Sequence, residues 1–327
     1  MANLEALWIA SRLNPGRKVA ASQQAHYTHQ RISDVLGLPF QSVACDSSAR
    51  MDLEALKREL DGGEIGTVVA TIGTTGCGAV DPLPQIVRLR EQYGFRLHAD
   101  AAYGGYYGLC SHLSEETSET YEHLTYVDSI VVDPHKHGLQ PYGCGCVLFK
   151  DPAMGKYYQH DSPYTYFSSA QLHLGEISLE CSRPGAAAVA LWATQQLFPL
   201  VRKGEFAGGL DACRRAALKL HEKINEDDRF LPIIKPELDI VVWAPKGRTV
   251  SSISRKSVLF FEQAAKENLH LATFTYPCHL LYDLWQGVDF DEQQVRLLRS
   301  CLMKPEHENW MERIWDIMER VADSIKD

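Results

Sequence analysis

The sequence lacks the marks of several familiar protein classes. No apolar run in its 327 residues approaches the roughly 20 needed to cross a bilayer. Met1-Ala2-Asn3-Leu4-Glu5-Ala6-Leu7-Trp8 has neither the basic start nor the small-residue cleavage site of a signal peptide. Positive charge is scarce. Against 42 Asp and Glu stand 33 Lys and Arg, a formal net charge of −9, so there is no electrostatic footprint for nucleic acid. The acidity serves solubility rather than partner choice. No Cys-x-x-Cys pair occurs, and Cys144-Gly145-Cys146 would point both thiols to one face of a strand, a poor start for a zinc ribbon. Nine cysteines, an odd number in a long acidic chain, are expected to be reduced thiols of a cytoplasmic protein, used as small core residues. There is no His-Glu-x-x-His, Gly-x-Ser-x-Gly or P-loop, so metalloprotease, serine-hydrolase and nucleotide-hydrolysis readings have no anchor. A metal centre built from His98, Asp100, His135 and His137 would place Lys136 among the ligands, and no metal is expected.

What is present is a chain able to bury a large core: 45% of its residues are hydrophobic, enough for one large domain or a large one plus a smaller. The first half alternates helix and strand signals. Helices are predicted over 2–12, 24–36, 52–60 (opened by Asp52) and 84–93. Strands are predicted over 18–22, 41–45, 67–72, 96–100, 128–133 and 146–150. Such alternation implies crossover connections and a mostly parallel sheet covered on both faces, with chemistry gathered at the carboxyl ends of its strands. Residues 151–182 read as irregular, and 184–200 as an Ala-rich helix with Pro184 in its first turn. After that the pattern changes. Strands at 239–243, 271–275 and 295–302, with helices near 252–267 and 306–326, suggest a smaller α+β domain. The expected organisation is therefore a large domain over 1–200 and a small one over 201–327.

Four stretches carry candidate chemistry. Asp133-Pro134-His135-Lys136-His137-Gly138 puts a lysine just past an apolar strand, where a lone lysine is ordinarily a solvated loop residue. His98-Ala99-Asp100-Ala101-Ala102-Tyr103 ends another strand in an aspartate, which by itself would serve as a helix cap. Two alanines after it would let a flat group lie against the backbone. Ile72-Gly73-Thr74-Thr75-Gly76 is a strand exit that, alone, is only a flexible turn. Ser22-Gln23-Gln24-Ala25-His26 sets an imidazole near a helix start, where a histidine is ordinarily structural. Together they match one need. An aldehyde cofactor carried on a lysine requires the amine, a carboxylate to keep its pyridine nitrogen protonated, and a flat group to stack on the ring. An anion within ~4–6 Å of that nitrogen favours its cationic form.

In this order the motifs resemble the pyridoxal-phosphate-dependent group II amino-acid decarboxylases, the group that includes aromatic-amino-acid, tyrosine and glutamate decarboxylases. The resemblance covers essentially the whole chain. It implies Lys136 as the Schiff-base lysine, Asp100 as the pyridinium partner and His26 as the stacking residue. Thr75, Ala102 and His135 would be the cofactor's other neighbours, and pyridoxal 5′-phosphate the cofactor. It implies an α/β fold of the aspartate-aminotransferase type (fold type I), with a seven-stranded-type, mostly parallel sheet, working as a homodimer on a small amino-acid substrate. Three stretches are most similar to the bacterial-type tyrosine decarboxylase branch: 133–142, Ser162-Pro163-Tyr164, and 181–188. They favour an aromatic, tyrosine-like substrate, with an acidic amino acid next. Specificity, however, lives in pocket side chains that vary within branches. Tyr164, with Tyr166, is a candidate for the tyrosine that protonates the product in animal aromatic decarboxylases.

The sequence departs from the family in one respect. Ala2 to Leu7 resembles the helix that in relatives follows a Ser-Gly-Gly-(Thr/Ser)-Glu turn, where the cofactor phosphate is held at a helix N-terminus. That turn is not seen here, and a missing N-terminal segment is the expectation. Two rival readings follow. One keeps the cofactor but changes the reaction, to an aldehyde synthase, aminotransferase or lyase. The other is a truncated, non-catalytic homologue that dimerises or binds a partner.

Overall fold

The computed structural model describes residues 1–159, 178–180 and 183–325. Its first half is built around six strands: β1 (Lys18–Ser22), β2 (Phe40–Val43), β3 (Ile65–Thr71), β4 (Arg96–Asp100), β5 (Ser129–Val132) and β6 (Cys146–Phe149). They form one sheet in the order β2-β1-β3-β4-β5-β6. All neighbours are parallel except β6, which runs antiparallel to β5 at one edge. Among the described residues the sheet thus has six strands rather than the seven of the type expected. Every residue of β3 is buried, as a central strand covered on both faces requires.

The helices that cover this sheet follow local signals. They are α1 (Ala2–Leu13), α2 (Thr28–Val35), α3 (Leu53–Asp61), α4 (Leu83–Tyr93) and α5 (Glu115–His123). The Asp52 carboxylate caps α3 by accepting from the Ala55 amide at 2.7 Å. Gly94, at φ +70°, ends α4 in the left-handed conformation, and its amide bonds the Arg90 carbonyl. The helix expected over 24–36 begins only at Thr28. The residues before it form a turn, in which the Ala25 amide bonds the Ser22 carbonyl, and that turn carries His26. Beyond the sheet comes α6 (Ala186–Leu197), none of whose side chains is buried, with Val189 and Trp192 prominent on its surface.

The second half holds a four-stranded antiparallel sheet. Its strands are β7 (Phe230–Ile234), β8 (Ile240–Pro245), β9 (Ala272–Pro277) and β10 (Gln294–Cys301), in the order β7-β8-β10-β9. Helices α7 (Glu205–Glu226), α8 (Val250–Lys266) and α9 (Met311–Ser324) pack on it. An aromatic cluster fills the space between: the Trp243 ring lies 4.9 Å from Phe260 and 5.2 Å from Phe230, which in turn is 5.6 Å from Trp315. The other face joins the largest apolar core of the molecule, where Leu238, Ile240 and Val242 meet Ile72, Tyr103 and Tyr107. Both sheets therefore share one core.

Candidate active site

Strands β1, β3, β4 and β5 end side by side, at Ser22, Thr71, Asp100 and Val132. Backbone hydrogen bonds lace three of the exits together. The Ile72 amide donates to the Asp100 carbonyl, Gly104 to Ile72, Ala101 to Val131 and Asp133 to Ala102. A side chain on Gly104 would meet the Ile72 carbonyl oxygen at 2.3 Å, so only glycine permits that approach.

Asp100 is buried among donors. One carboxylate oxygen accepts from the Ala102 amide at 3.1 Å. The other faces His29 Nε2 at 2.7 Å and accepts from Asn3 Nδ2 at 3.2 Å. Burial alone would raise its pKa, but the bond and charge of His29, with His98 and the Ala102 amide, hold the carboxyl well below its usual range. Burial also pushes His98 down to about 3. As a neutral ring, His98 donates from Nε2 to Asn3 Oδ1 (2.9 Å) and accepts at Nδ1 from the Ser129 hydroxyl (2.9 Å). A chain of donors from Ser129 through His98 and Asn3 thus ends on Asp100, and keeps an anion where the sheet opens.

Lys136 stands on the next exit. Its Nζ lies 3.3 Å from Asp133 Oδ2, and its side chain is about 29% exposed. The loop around it is tightly built. The His135 Nδ1 faces the Cys144 carbonyl at 2.7 Å, with Nε2 3.6 Å from Asp133. A Cβ on Gly138 would strike Tyr106 Oη at 2.4 Å and Pro134 Cα at 2.7 Å, and Leu139 follows at φ +60°. His137 turns away from Lys136, toward Asp239. His98, Asp100, His135 and His137 accordingly do not converge on one point.

His26 is half-buried on the turn after β1, its ring 4.3 Å from that of Tyr27, and its Nδ1 accepts from the Thr28 amide. Burial lowers its pKa. Asp100 and Asp133 act against that shift, while Lys136 and His29 add to it. His26 therefore lies within electrostatic reach of both Asp100 and Lys136, three residues from three different strand exits. Thr75 sits exposed at the tip of the β3 exit, while the neighbouring Thr74 is buried, its hydroxyl accepting from the Ala79 amide. Ala102 is buried beside Asp100. Tyr164 and Tyr166 lie outside the described residues.

Two residues here escaped the sequence reading. His29, one turn beyond His26, is fully buried, and its Nδ1 has no hydrogen-bond partner among the described residues. Spacing alone offers no signal for it, since two histidines three residues apart are unremarkable. Asn3 is the second, and its sequence signal is only a polar residue in the first turn of an apolar helix. The donor set suits pyridoxal phosphate: an anion kept ionised without solvent, an amine on the adjacent exit, and an imidazole near both.

The comparisons with known proteins agree. Residues 5–246 match the model of the pyridoxal-dependent decarboxylase conserved domain. A probable L-tyrosine/L-aspartate decarboxylase of Methanothermobacter thermautotrophicus is 30% identical over 254 residues, covering 74% of this chain and 64% of the relative. An L-tyrosine decarboxylase of Enterococcus faecium is 27% identical, covering 86% of this chain and 58% of the relative. The chain thus spans about three-fifths of the length of these relatives. Among solved structures, Oryza sativa TDC with PLP and tryptamine superposes with a TM-score of 0.80 over 100% of this chain and 69% of that one, at 18% identity. That likeness carries the fold, which is fold type I.

Proposed function

The chain belongs to the pyridoxal-dependent decarboxylase family, and from that premise we propose that it releases the α-carboxylate of an L-amino acid as carbon dioxide, using pyridoxal 5′-phosphate. Bound there, the cofactor supplies a cationic ring that accepts the electron pair left when the bond between Cα and the carboxylate breaks. The protein's own residues do the rest. Asp100, held ionised by His29, Asn3 and the Ala102 amide, favours a protonated ring nitrogen. Lys136 supplies the amine that carries the aldehyde, and Asp133 orients it. The half-buried His26 offers a flat face. Thr75, Ala102 and His135 would border the ring and its phosphate, and Tyr164 is the proposed proton donor. The single observation that carries this reading is a buried carboxylate, stripped of water yet held below its usual pKa, one strand away from a loop lysine.

A tyrosine-like substrate is proposed first and an acidic one second, in keeping with the names of the two relatives described above. A homodimer belongs to the same proposal. Its support is the apolar surface of α6, where Val189, Trp192 and Leu197 are exposed, beside exposed Leu139 and Tyr142 of the Lys136 loop. Gln140 Nε2 ties that loop to Thr194 of α6 at 2.7 Å. The reading also includes a cytoplasmic location, on the strength of buried free thiols such as Cys77 and Cys213. The test is product analysis with L-tyrosine, L-tryptophan, L-aspartate and L-glutamate. Carbon dioxide and the matching amine in equal amounts are expected. Aldehyde with ammonia would move the reaction to an aldehyde synthase, and a keto acid to an aminotransferase.

A further inference from the structure

Between β7 and β8 the chain passes through Glu237-Leu238-Asp239, three consecutive residues of the second sheet's lead-in that all point into the first. Glu237 is gripped by Arg50, with Nε and Nη2 each 3.0 Å from its two oxygens. It also accepts from the Val80 amide (3.2 Å) and the Thr117 hydroxyl (3.0 Å). Leu238 is fully buried against the two glycines of the strand exits: a Cβ on Gly73 would meet its Cδ1 at 2.9 Å, and one on Gly104 at 3.1 Å. Asp239 is also fully buried. Its Oδ2 lies 2.8 Å from His137 Nε2, and its Oδ1 accepts from the Tyr103 hydroxyl at 2.7 Å.

The other nitrogen of His137 faces the Tyr103 carbonyl at 3.1 Å, so both ring nitrogens are engaged. Tyr103 and Tyr107 box the imidazole edge-on, at 4.7 and 5.1 Å. One carboxylate therefore holds the residue next to Lys136 and the tyrosine that closes the Asp100-Ala101-Ala102-Tyr103 stretch. Burial works against the ionised form of Asp239, but the charge and bond of His137 and the bond of Tyr103 bring its pKa below the ordinary value. A buried acid paired in this way is costly to break and fixes the geometry of whatever donates to it.

We infer that Asp239 is a positioning residue: through His137 and Tyr103 it sets the β4 and β5 exits against each other, and so fixes where Lys136 stands relative to Asp100. The second sheet is on this account part of the site, acting through His137 and Tyr103. The inference deepens the decarboxylase reading, since it concerns the same lysine, but its central test needs neither cofactor nor turnover.

The experiment is hydrogen exchange on the full chain without cofactor, comparing Asp239→Asn with Glu237→Gln. Each variant removes one charge from the same segment, fully buried at Asp239 and partly buried at Glu237. Exchange over 134–140 and 101–107 is expected to rise roughly tenfold to hundredfold in Asp239→Asn, the scale of losing a hydrogen bond to a charged group, and to stay near the parent rate in Glu237→Gln. If Asp239→Asn fails to fold, His137→Gln breaks the same pair from the loop side and is read in the same way. Equal loosening in both variants, or none in either, overturns the inference. In the loaded protein, kcat should fall at nearly unchanged KM. A parent that turns over no amino acid would sink the decarboxylase reading while leaving the exchange result standing, so the two failures are distinguishable.

Discussion

The two sheets bury different things at the ends of their strands. The parallel sheet ends in polar groups that no water reaches: Asp100, His98 and Thr74, with His29 packed beside them. Each is held by named donors; Asp100 and Thr74 lie where strands running the same way stop together, and His98 stands two residues before the end of β4. The antiparallel sheet has its strand directions alternating, so no such gathering arises. Its interior is Trp243, Phe260 and Phe230, with one polar contact from Trp243 Nε1 to Ser300 Oγ at 3.0 Å. The exception is Asp239, at the entry of β8, and it faces the first sheet. Parallel topology concentrates backbone termini and polar side chains at one edge, whereas antiparallel topology yields packing. The lesson is that a buried charge in the packing half reports on the chemical half.

The largest expected effect separates chemistry from stability. Asp100→Asn should keep the fold and the ability to take up pyridoxal phosphate, yet lose roughly a thousandfold or more in decarboxylation rate, the scale of several kcal/mol of electrostatic stabilisation. Steady-state rates and visible absorbance check this. A variant with near-normal turnover would remove Asp100 from its assigned role.

Trp243→Ala tests the other half. Removing a fully buried indole from the aromatic cluster should destabilise by roughly 3–5 kcal/mol in chemical denaturation. Below its unfolding transition, cofactor uptake should persist. If cofactor uptake vanishes in protein that is still folded, the division between the sheets is drawn in the wrong place.

These halves were unequally legible. The parallel half is written in short apolar runs bounded by turn residues, and β1 and β4 stand at their expected limits. The 22-residue α7 lies in a stretch for which no element is predicted, and it carries Gly208-Gly209, a pair unfavourable inside a helix. Tertiary burial of Phe206, Leu210, Ala217, Leu220 and Ile224 overrides that local cost. Helix α5 was missed for a different reason: Glu115-Glu116-Thr117-Ser118-Glu119 has the composition of a loop, and its Ser114 cap is visible only once the Thr117 amide is seen to bond it. In the site, residues inside a strand-exit motif were legible as candidates. His29 and Asp239 were not, because their roles come from contacts 71 and 102 residues away along the chain.

A smaller effect should follow at His29. His29→Gln removes the bond that most directly supports the Asp100 anion, and the lost interaction, of a kind worth about 1.5–3 kcal/mol, should cost roughly tenfold to hundredfold in rate. The pKa of Asp100 should rise with it, read as a shift in the pH dependence of cofactor absorbance. An unchanged rate would leave Asn3 and the Ala102 amide as sufficient support.

The smallest effect concerns acid stability. Burial depresses the folded-state pKa of His98 from 6.5 to about 3, so between those values the unfolded chain binds the extra proton. Stability from this group is present above the unfolded value and is lost as pH falls, at up to about 1.4 kcal/mol per pH unit. Asp100, also depressed, adds its own loss below its unfolded value. Denaturation midpoints between pH 7 and 5 should fall less steeply in His98→Gln than in the parent, and identical slopes would contradict the burial account.

The central claim is that the exits of β4 and β5 form one cofactor site, with Asp100 on one and Lys136 on the other. Borohydride reduction of the protein saturated with pyridoxal phosphate, followed by peptide mapping, tests it most directly. The account predicts a single stable label on the peptide containing Lys136, lost in Lys136→Ala. A label on Lys150 or Lys156 instead would contradict it.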